Sequence, residues 1–151
     1  MLRWALLGLA LVAFGLNAQA ASPKAKILKV LPHLLDDQGR HTRSPSLYER
    51  DAYQAYLRQH SEKCSGLRFD VHWKATRTGT AALRLFVEIR GSKEPKPVVL
   101  VQGVERRPWY QRWTPLTLDG DSYRKLGEVV AWRASLWDGD SLLAEQKSFL
   151  W

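Results

Sequence analysis

Apolar and polar side chains alternate along much of the second half of the chain, the pattern of strands with one buried face. Residues 67–74 and 83–90 both alternate in this way, and Thr78 and Gly79 between them predict a turn that joins a hairpin. The same reasoning predicts further strands over residues 26–32, 98–104, 113–118, 130–137 and 143–151. Pro32 confines the first of these to the edge of a sheet, because proline cannot donate a backbone hydrogen bond.

One predicted strand does not alternate. Residues 98–104 form a continuous apolar run bounded by Pro97 and Gly103. Apolar runs of this length are typical of strands that are covered on both faces. The pattern therefore predicts a buried strand.

A single stretch has the period of a helix. Ser46 and Glu49 form a capping box, in which the serine hydroxyl accepts a hydrogen bond from the Glu49 amide. An apolar stripe with the spacing of one helix face follows, made of Tyr48, Ala52, Ala55 and Tyr56. The pattern predicts a helix over residues 46–60 whose stripe packs across an open end or face of the strands and covers an edge.

Together these elements predict a mainly β fold. Six or seven short strands separated by turn signals indicate a single antiparallel β-sandwich of immunoglobulin-like or fibronectin-like architecture. One helix is inserted between the first and second strands. The length of residues 21–151 suits one domain with one core.

The first twenty residues are typical of a secretory signal peptide. A basic head ends at Arg3, residues 4–16 are almost entirely apolar, and Ala18-Gln19-Ala20 is a small-x-small cleavage site. The apolar run is shorter than the about 20 residues that a membrane-spanning helix needs. We therefore expect residues 1–20 to be a signal-peptide helix and residues 21–151 to be secreted or periplasmic, without a transmembrane segment.

The net charge of +8 favours acidic partners such as anionic polysaccharide or a lipid surface. Basic residues are spread along the chain, which is also typical of charge that serves solubility alone. Nucleic acid is the least expected partner of an exported protein. Cys64 is the only cysteine, so an internal disulfide is excluded.

One tetrapeptide has an enzymatic parallel. Gly139-Asp140-Ser141-Leu142 resembles the nucleophile block of the GDSL esterases and lipases, in which the serine lies near the start of the chain and a histidine follows near its end. Here ten residues follow Ser141, none of them is a histidine, and the asparagine that the resemblance requires is missing after residue 20. Asp138-Gly139 between two alternating runs predicts a type I′ hairpin turn instead. We therefore expect no catalytic residues.

Metal and cofactor sites are not predicted. The earlier copy of the DGDS tetrapeptide, residues 119–122, lacks the alternating oxygen ligands of a calcium loop, and Asp119 or Asp121 is better placed to cap a helical turn closed by Gly127. The four histidines lack the spacing of metal ligands; they are His33, His41, His60 and His72.

One stretch combines cations with aromatic rings. Within nine residues the chain places three arginines among three rings, and these candidate binding residues are Arg106, Arg107, Trp109, Tyr110, Arg112 and Trp113. Aromatic rings and guanidinium groups bind sugar rings and acidic groups. The alternative is that the rings cover one end of the core and the arginines are solvated around them. Trp137 and Trp151 on the outer face of the last hairpin would form a second patch.

These patterns indicate an exported, non-catalytic binding or accessory protein that acts through protein–protein contacts. The alternative is a domain that resembles carbohydrate-binding modules and recognises anionic glycan through the Arg/Trp/Tyr stretch. Neither interpretation requires a cofactor or metal. The sequence does not determine the oligomeric state.

Overall fold

The computed structural model describes residues 25–76, 82–105 and 112–151, and these form two antiparallel sheets with helices at their ends. The strands are β1 (Ala25–Asp36), β2 (Cys64–Ala75), β3 (Leu83–Gly91), β4 (Val98–Val104), β5 (Arg112–Asp119), β6 (Val129–Asp138) and β7 (Ser141–Lys147). The α-helices are α1 (Leu47–Gln59) and α2 (Gly120–Leu126), and a 3₁₀ turn spans Ser61–Lys63. The predicted mainly β class is confirmed.

The strand order defines a sandwich-like arrangement. Sheet A has the order β1-β2-β5, and sheet B has the order β4-β3-β6-β7. The inner faces of the two sheets meet in one core, because the apolar half of each alternating strand points inward. Its fully buried side chains include Phe69 and Val71 from sheet A and Leu85, Ile89 and Leu136 from sheet B.

The predicted hairpin between residues 67–74 and 83–90 is wrong. Strand β2 pairs with β1 and β5, whereas β3 pairs with β4 and β6, so the chain crosses from one sheet to the other. The alternation of side chains identifies the buried face of each strand but not its hydrogen-bonded neighbour. The predicted turn at Thr78 and Gly79 lies outside the described residues.

The predicted signal peptide also lies outside the described residues. None of the helices in the described part of the chain is both long enough and apolar enough to cross a membrane.

Strand β1 is an edge strand, as Pro32 predicts, but it continues to Asp36, beyond the predicted residue 32. Asp36 ends the strand with a buried carboxylate that accepts hydrogen bonds from Tyr53 Oη at 2.7 Å, the Arg40 amide at 2.8 Å and the Gln38 amide at 2.9 Å. Burial alone would raise the pKa of Asp36, but these hydrogen bonds and the Arg40 guanidinium lower it to about 2.

Helix α1 forms where the capping box predicts it, and the Ser46 hydroxyl accepts from the Glu49 amide at 3.5 Å. The predicted apolar stripe is wrong, however. Tyr48 is 83% exposed, and the buried side chains of the helix are Gln54 and Leu57. The helix packs against the edge of β1 rather than across a face, so a polar residue that satisfies backbone groups occupies the contact.

Gln54 replaces a neighbouring strand at this edge. Its side-chain oxygen accepts from the Leu34 amide at 2.8 Å, and its side-chain nitrogen donates to the Leu34 carbonyl at 2.9 Å. The same nitrogen donates to the His41 carbonyl at 2.8 Å. The primary amide thus makes the pair of bonds that a peptide group of an added strand would make.

Both DGDS tetrapeptides lie at changes of chain direction. Residues Asp119–Ser122 begin α2, which ends at Gly127 with φ of +76°, as predicted, although the Asp119 side chain makes no capping bond. In the β6–β7 hairpin Asp138 pairs with Ser141, so the turn is centred on Gly139 and Asp140. Gly139 has φ of +58° and Asp140 does not have positive φ, so the turn is not the predicted type I′.

Replacement of Gln54 by alanine is expected to lower the free energy of unfolding by about 2 kcal/mol, because the Leu34 amide and carbonyl lose their partners in a partly buried site. Urea unfolding followed by circular dichroism measures the change. Gln59→Ala at the exposed end of the same helix is the control and should change stability by less than about 0.5 kcal/mol. Equal effects of the two substitutions would contradict the role given to Gln54.

Candidate functional site

The predicted Arg/Trp/Tyr stretch is only partly described. Arg106, Arg107, Trp109 and Tyr110 lie outside the described residues. Arg112 and Trp113 begin β5, at the edge of sheet A. The structure therefore describes two of the six predicted positions.

Trp113 lies on the outer face of sheet A and is 49% exposed. Its cross-strand neighbour is His72 on β2, and the two rings are stacked with centroids 4.5 Å apart and planes 8° apart. Since stacked rings cover the sides that they turn to each other, the exposed half of the indole is its other side and its edges. Trp113 is thus held by a neighbour and open to solvent, rather than part of the core.

Three lysines share this outer face with Trp113. Lys29 on β1 pairs with His72, so one row across the sheet reads Lys29, His72, Trp113. In the adjacent row Lys26 lies directly opposite Lys74, and all three lysines are exposed. We call Lys26, Lys29, His72, Lys74 and Trp113 the lysine–tryptophan face.

The lysine–tryptophan face is unbalanced in charge. Lysines directly opposite each other on neighbouring strands repel. The carboxylate of Asp70 on the same outer surface is already bound by Arg68 at 2.8 Å and lies 3.5 Å from His33. Within the part of the chain that the structure describes, none of the three lysines forms an ion pair with a carboxylate.

Strand β4 forms a second exposed surface, and the prediction that it is buried is wrong. It is the outer strand of sheet B, and Val99 and Val101 on its outward face are 49% and 52% exposed. On its inward side Val98 and Leu100 are only partly buried, although they pair with the fully buried Ile89 and Val87. Both faces of β4 therefore leave apolar surface in water.

The other three edge strands among those described are protected against pairing with an added strand. Gln54 of α1 covers β1, Pro115 interrupts the donors of β5, and the charged Glu145 and Lys147 lie on β7. Charges, prolines and covering helices are the usual means of preventing strand addition. In the part of the chain that the structure describes, strand β4, with the sequence VVLVQGV, has none of these.

The second aromatic patch forms on the outer face of sheet B but its rings are partly covered. Trp137 packs edge-on against Phe86, with centroids 6.3 Å apart. The Trp151 ring lies beneath the guanidinium groups of Arg90 at 4.4 Å and Arg133 at 4.9 Å. Arg133 also forms an ion pair with Glu88 at 2.6 Å. The rings and charges of this patch therefore already have partners within the protein.

A groove of about 1110 Å³ lies between α1, α2 and the start of β6. Cys64 lines it, and its thiol donates to the Leu57 carbonyl at 3.4 Å. Burial raises the pKa of the Cys64 thiol, which opposes formation of the nucleophilic thiolate.

The GDSL tetrapeptide spans the β6–β7 turn and the first residues of β7. Ser141 is exposed at the start of β7 and pairs with Asp138. The described residues contain no group of three or more His, Cys, Asp or Glu side chains able to hold a metal ion.

Sequence reasoning missed the lysines of the lysine–tryptophan face. Alternation places His72 and Lys74 on the exposed side of β2, and this signal was available. The position of Lys29 beside His72 depends on an irregularity between Ile27 and Lys29, which shifts the register of β1. A period of two cannot reveal such a shift.

Comparisons with protein-family models, curated proteins and solved structures found no significant match.

Stability is expected to fall as the pH is lowered from about 7 to about 5. Burial lowers the pKa of His33 below its usual 6.5, and the positive charges of His41, Arg50 and Arg68 lower it further, against the opposing effect of Asp70. His33 therefore binds a proton more readily in the unfolded chain than in the folded chain. The stability that is present above the pKa of the unfolded chain is lost as the pH falls through that value. His33→Gln should flatten this dependence in urea unfolding at several pH values.

The pKa of His41 is lowered in the same direction, chiefly by burial, so part of the dependence should remain in the His33 variant. Asp36 titrates far below this range and does not contribute. Stability that is constant or increases on acidification would contradict the prediction.

Proposed function

We propose that the protein is an exported binding protein that accepts an extended apolar segment of a partner protein at the edge of β4. The observation that carries the proposal is the mismatch between the sequence of β4 and its position. Its apolar run is typical of a strand covered on both faces, yet it lies at an edge, where Val99 and Val101 are exposed on the outward face and Val98 and Leu100 are only partly buried on the inward face.

An added strand would remove this mismatch. The partner backbone would pair with the outer N–H and C=O groups of β4, and its alternate side chains would cover the two faces. Full burial of a valine contributes roughly 1.5–3 kcal/mol, so completing the burial of the half-exposed Val99 and Val101 contributes on the order of 1 kcal/mol each. Specificity then comes from the side chains next to Val98 and Leu100, where the core of the sandwich is still open.

The immunoglobulin-like architecture and the export of the protein are part of the same proposal. Sheets of order β1-β2-β5 and β4-β3-β6-β7 correspond to strands A-B-E and C′-C-F-G of an immunoglobulin-like sandwich, in the naming used for such domains. In that correspondence β4 is strand C′. Export is supported by the signal-peptide pattern of residues 1–20. Binding at β4 requires no catalytic step.

The proposal can be tested with extended peptides selected from a random displayed library. A selected peptide should protect the amides of residues 98–104 from hydrogen exchange, because their outer groups become paired. Val99→Lys and Val101→Lys together should weaken peptide binding at least about tenfold, since an added strand would bury both charges. Isothermal titration calorimetry measures the affinities.

Val130→Lys is the matched control, because Val130 is 47% exposed and lies on β6 rather than at the β4 edge. It should bind the selected peptides as the unmodified protein does. Peptides that bind without protecting β4, or that bind the double variant equally well, would contradict the proposal. Sedimentation that shows dimers abolished by the double variant would identify a second copy of the chain as the occupant.

A further inference from the structure

We propose that the lysine–tryptophan face of sheet A is a binding site for an acidic polysaccharide, one whose sugar rings carry carboxylates. This site is separate from the β4 edge and does not depend on the function proposed for that edge. Of the candidate residues predicted from the sequence it includes Trp113, and it does not depend on those outside the described residues.

The charge of the face selects an anionic ligand. Lys26 and Lys74 lie opposite each other, and Lys29 lies in the next row, so three ammonium groups share one patch. The patch contains no ion-paired lysine among the described residues, and Asp70 is occupied by Arg68 and His33. A ligand that brings several carboxylates relieves the repulsion between the lysines, and this gain is not available to a neutral ligand.

The indole ring of Trp113 favours a ligand with flat apolar surfaces. His72 supports one side of the indole at a centroid distance of 4.5 Å, which fixes the orientation of Trp113. The other side faces away from His72, and since Trp113 is 49% exposed, it can stack against the C–H face of a sugar ring. Because the indole is already positioned, binding requires little additional ordering of the side chain.

The dimensions of the face suit a chain of sugars. The row Lys29, His72, Trp113 crosses three neighbouring strands, so its outer backbones are about 10 Å apart. His72 lies between Trp113 and Lys29, so a ring stacked on the free side of the indole lies beyond β5. The next units of the same polymer reach Lys29 and the opposed Lys26 and Lys74 by passing over the edges of the two stacked rings. A polymer that carries a carboxylate on each unit fits this arrangement.

A lipid surface fits the face less well than a polysaccharide. Membrane-binding surfaces present several apolar side chains that enter the bilayer together. On this face Trp113 is the only large hydrophobic residue that is exposed among the described ones, and it lies flat against His72. Single-stranded nucleic acid shares the requirement for rings and cations, and the experiment separates it.

The test is calorimetric titration of the purified protein with polygalacturonate, with neutral dextran and with oligo(dT). We expect saturable binding of polygalacturonate and none of dextran. Trp113→Ala should weaken binding at least about tenfold, the effect of losing one stacked ring. The triple variant Lys26→Gln, Lys29→Gln, Lys74→Gln should weaken it by a similar factor.

The matched control removes the same charge elsewhere. Lys93→Gln, Lys96→Gln and Lys125→Gln alter exposed lysines of the β3–β4 connection and α2, and this variant should bind within about twofold of the original. Thermal unfolding of each variant verifies that it is folded. If a lysine variant of the face does not fold, Trp113→Ala and competition by salt still test the site.

Three results would overturn the proposal. If the control variant binds polygalacturonate as weakly as the triple lysine variant of the face, the polymer is attracted by net charge alone. Undiminished binding by folded Trp113→Ala would exclude ring stacking. Tighter binding of oligo(dT) than of polygalacturonate would assign the face to nucleic acid. The Val99→Lys, Val101→Lys variant should keep its affinity for polygalacturonate, so failure at β4 and failure at this face are distinguishable.

Discussion

Unpaired backbone groups at sheet edges are the constraint on which this structure depends. Two open sheets expose four edge strands, and each N–H and C=O group there requires a partner or water. Helix α1 lies where it does because Gln54 supplies peptide-like bonds to Leu34. Proline and charged side chains protect β5 and β7. The same constraint distinguishes β4, whose edge has no such protection in the described structure.

The two candidate surfaces use different physical forces on neighbouring parts of the molecule. The β4 edge offers backbone pairing and apolar contact, and the lysine–tryptophan face offers charge and ring stacking. Strands β4 and β5 are in contact across the sandwich, so the β4 edge lies beside the strand that carries Trp113. A protein with this arrangement would hold a partner chain close to an acidic polymer, and the two contacts would strengthen each other through effective concentration.

The sequence predicted most strands and the main helix because side-chain periodicity reports which face of each element is buried. It did not predict which strands pair with each other. The supposed hairpin of β2 and β3 failed because alternation is identical whether the next strand pairs with its predecessor or crosses to the other sheet. It also misplaced the contact face of α1, since Gln54 is polar and the apolar stripe through Tyr48 indicated another side.

The candidate site was predicted in part for a related reason. Clustering along the chain identified Trp113, whereas Lys26, Lys29 and Lys74 come together through pairing between β1 and β2 and through the irregularity before Lys29. The exposure of β4 was unpredictable because a strand covered on both faces and an exposed edge strand can have the same apolar pattern.

The bonds that Gln54 makes also limit the number of strands the molecule can accept. With α1 in place, Gln54 occupies the backbone groups of Leu34 on β1. Strand β4 is then the unprotected edge among those described, so pairing between molecules would end after one addition. Without that contact, sheet A and sheet B would each offer an edge, on different sides of the sandwich. Strand pairing could then continue from molecule to molecule into a filament. The bonds between Gln54 and Leu34 thus oppose polymerisation through this edge.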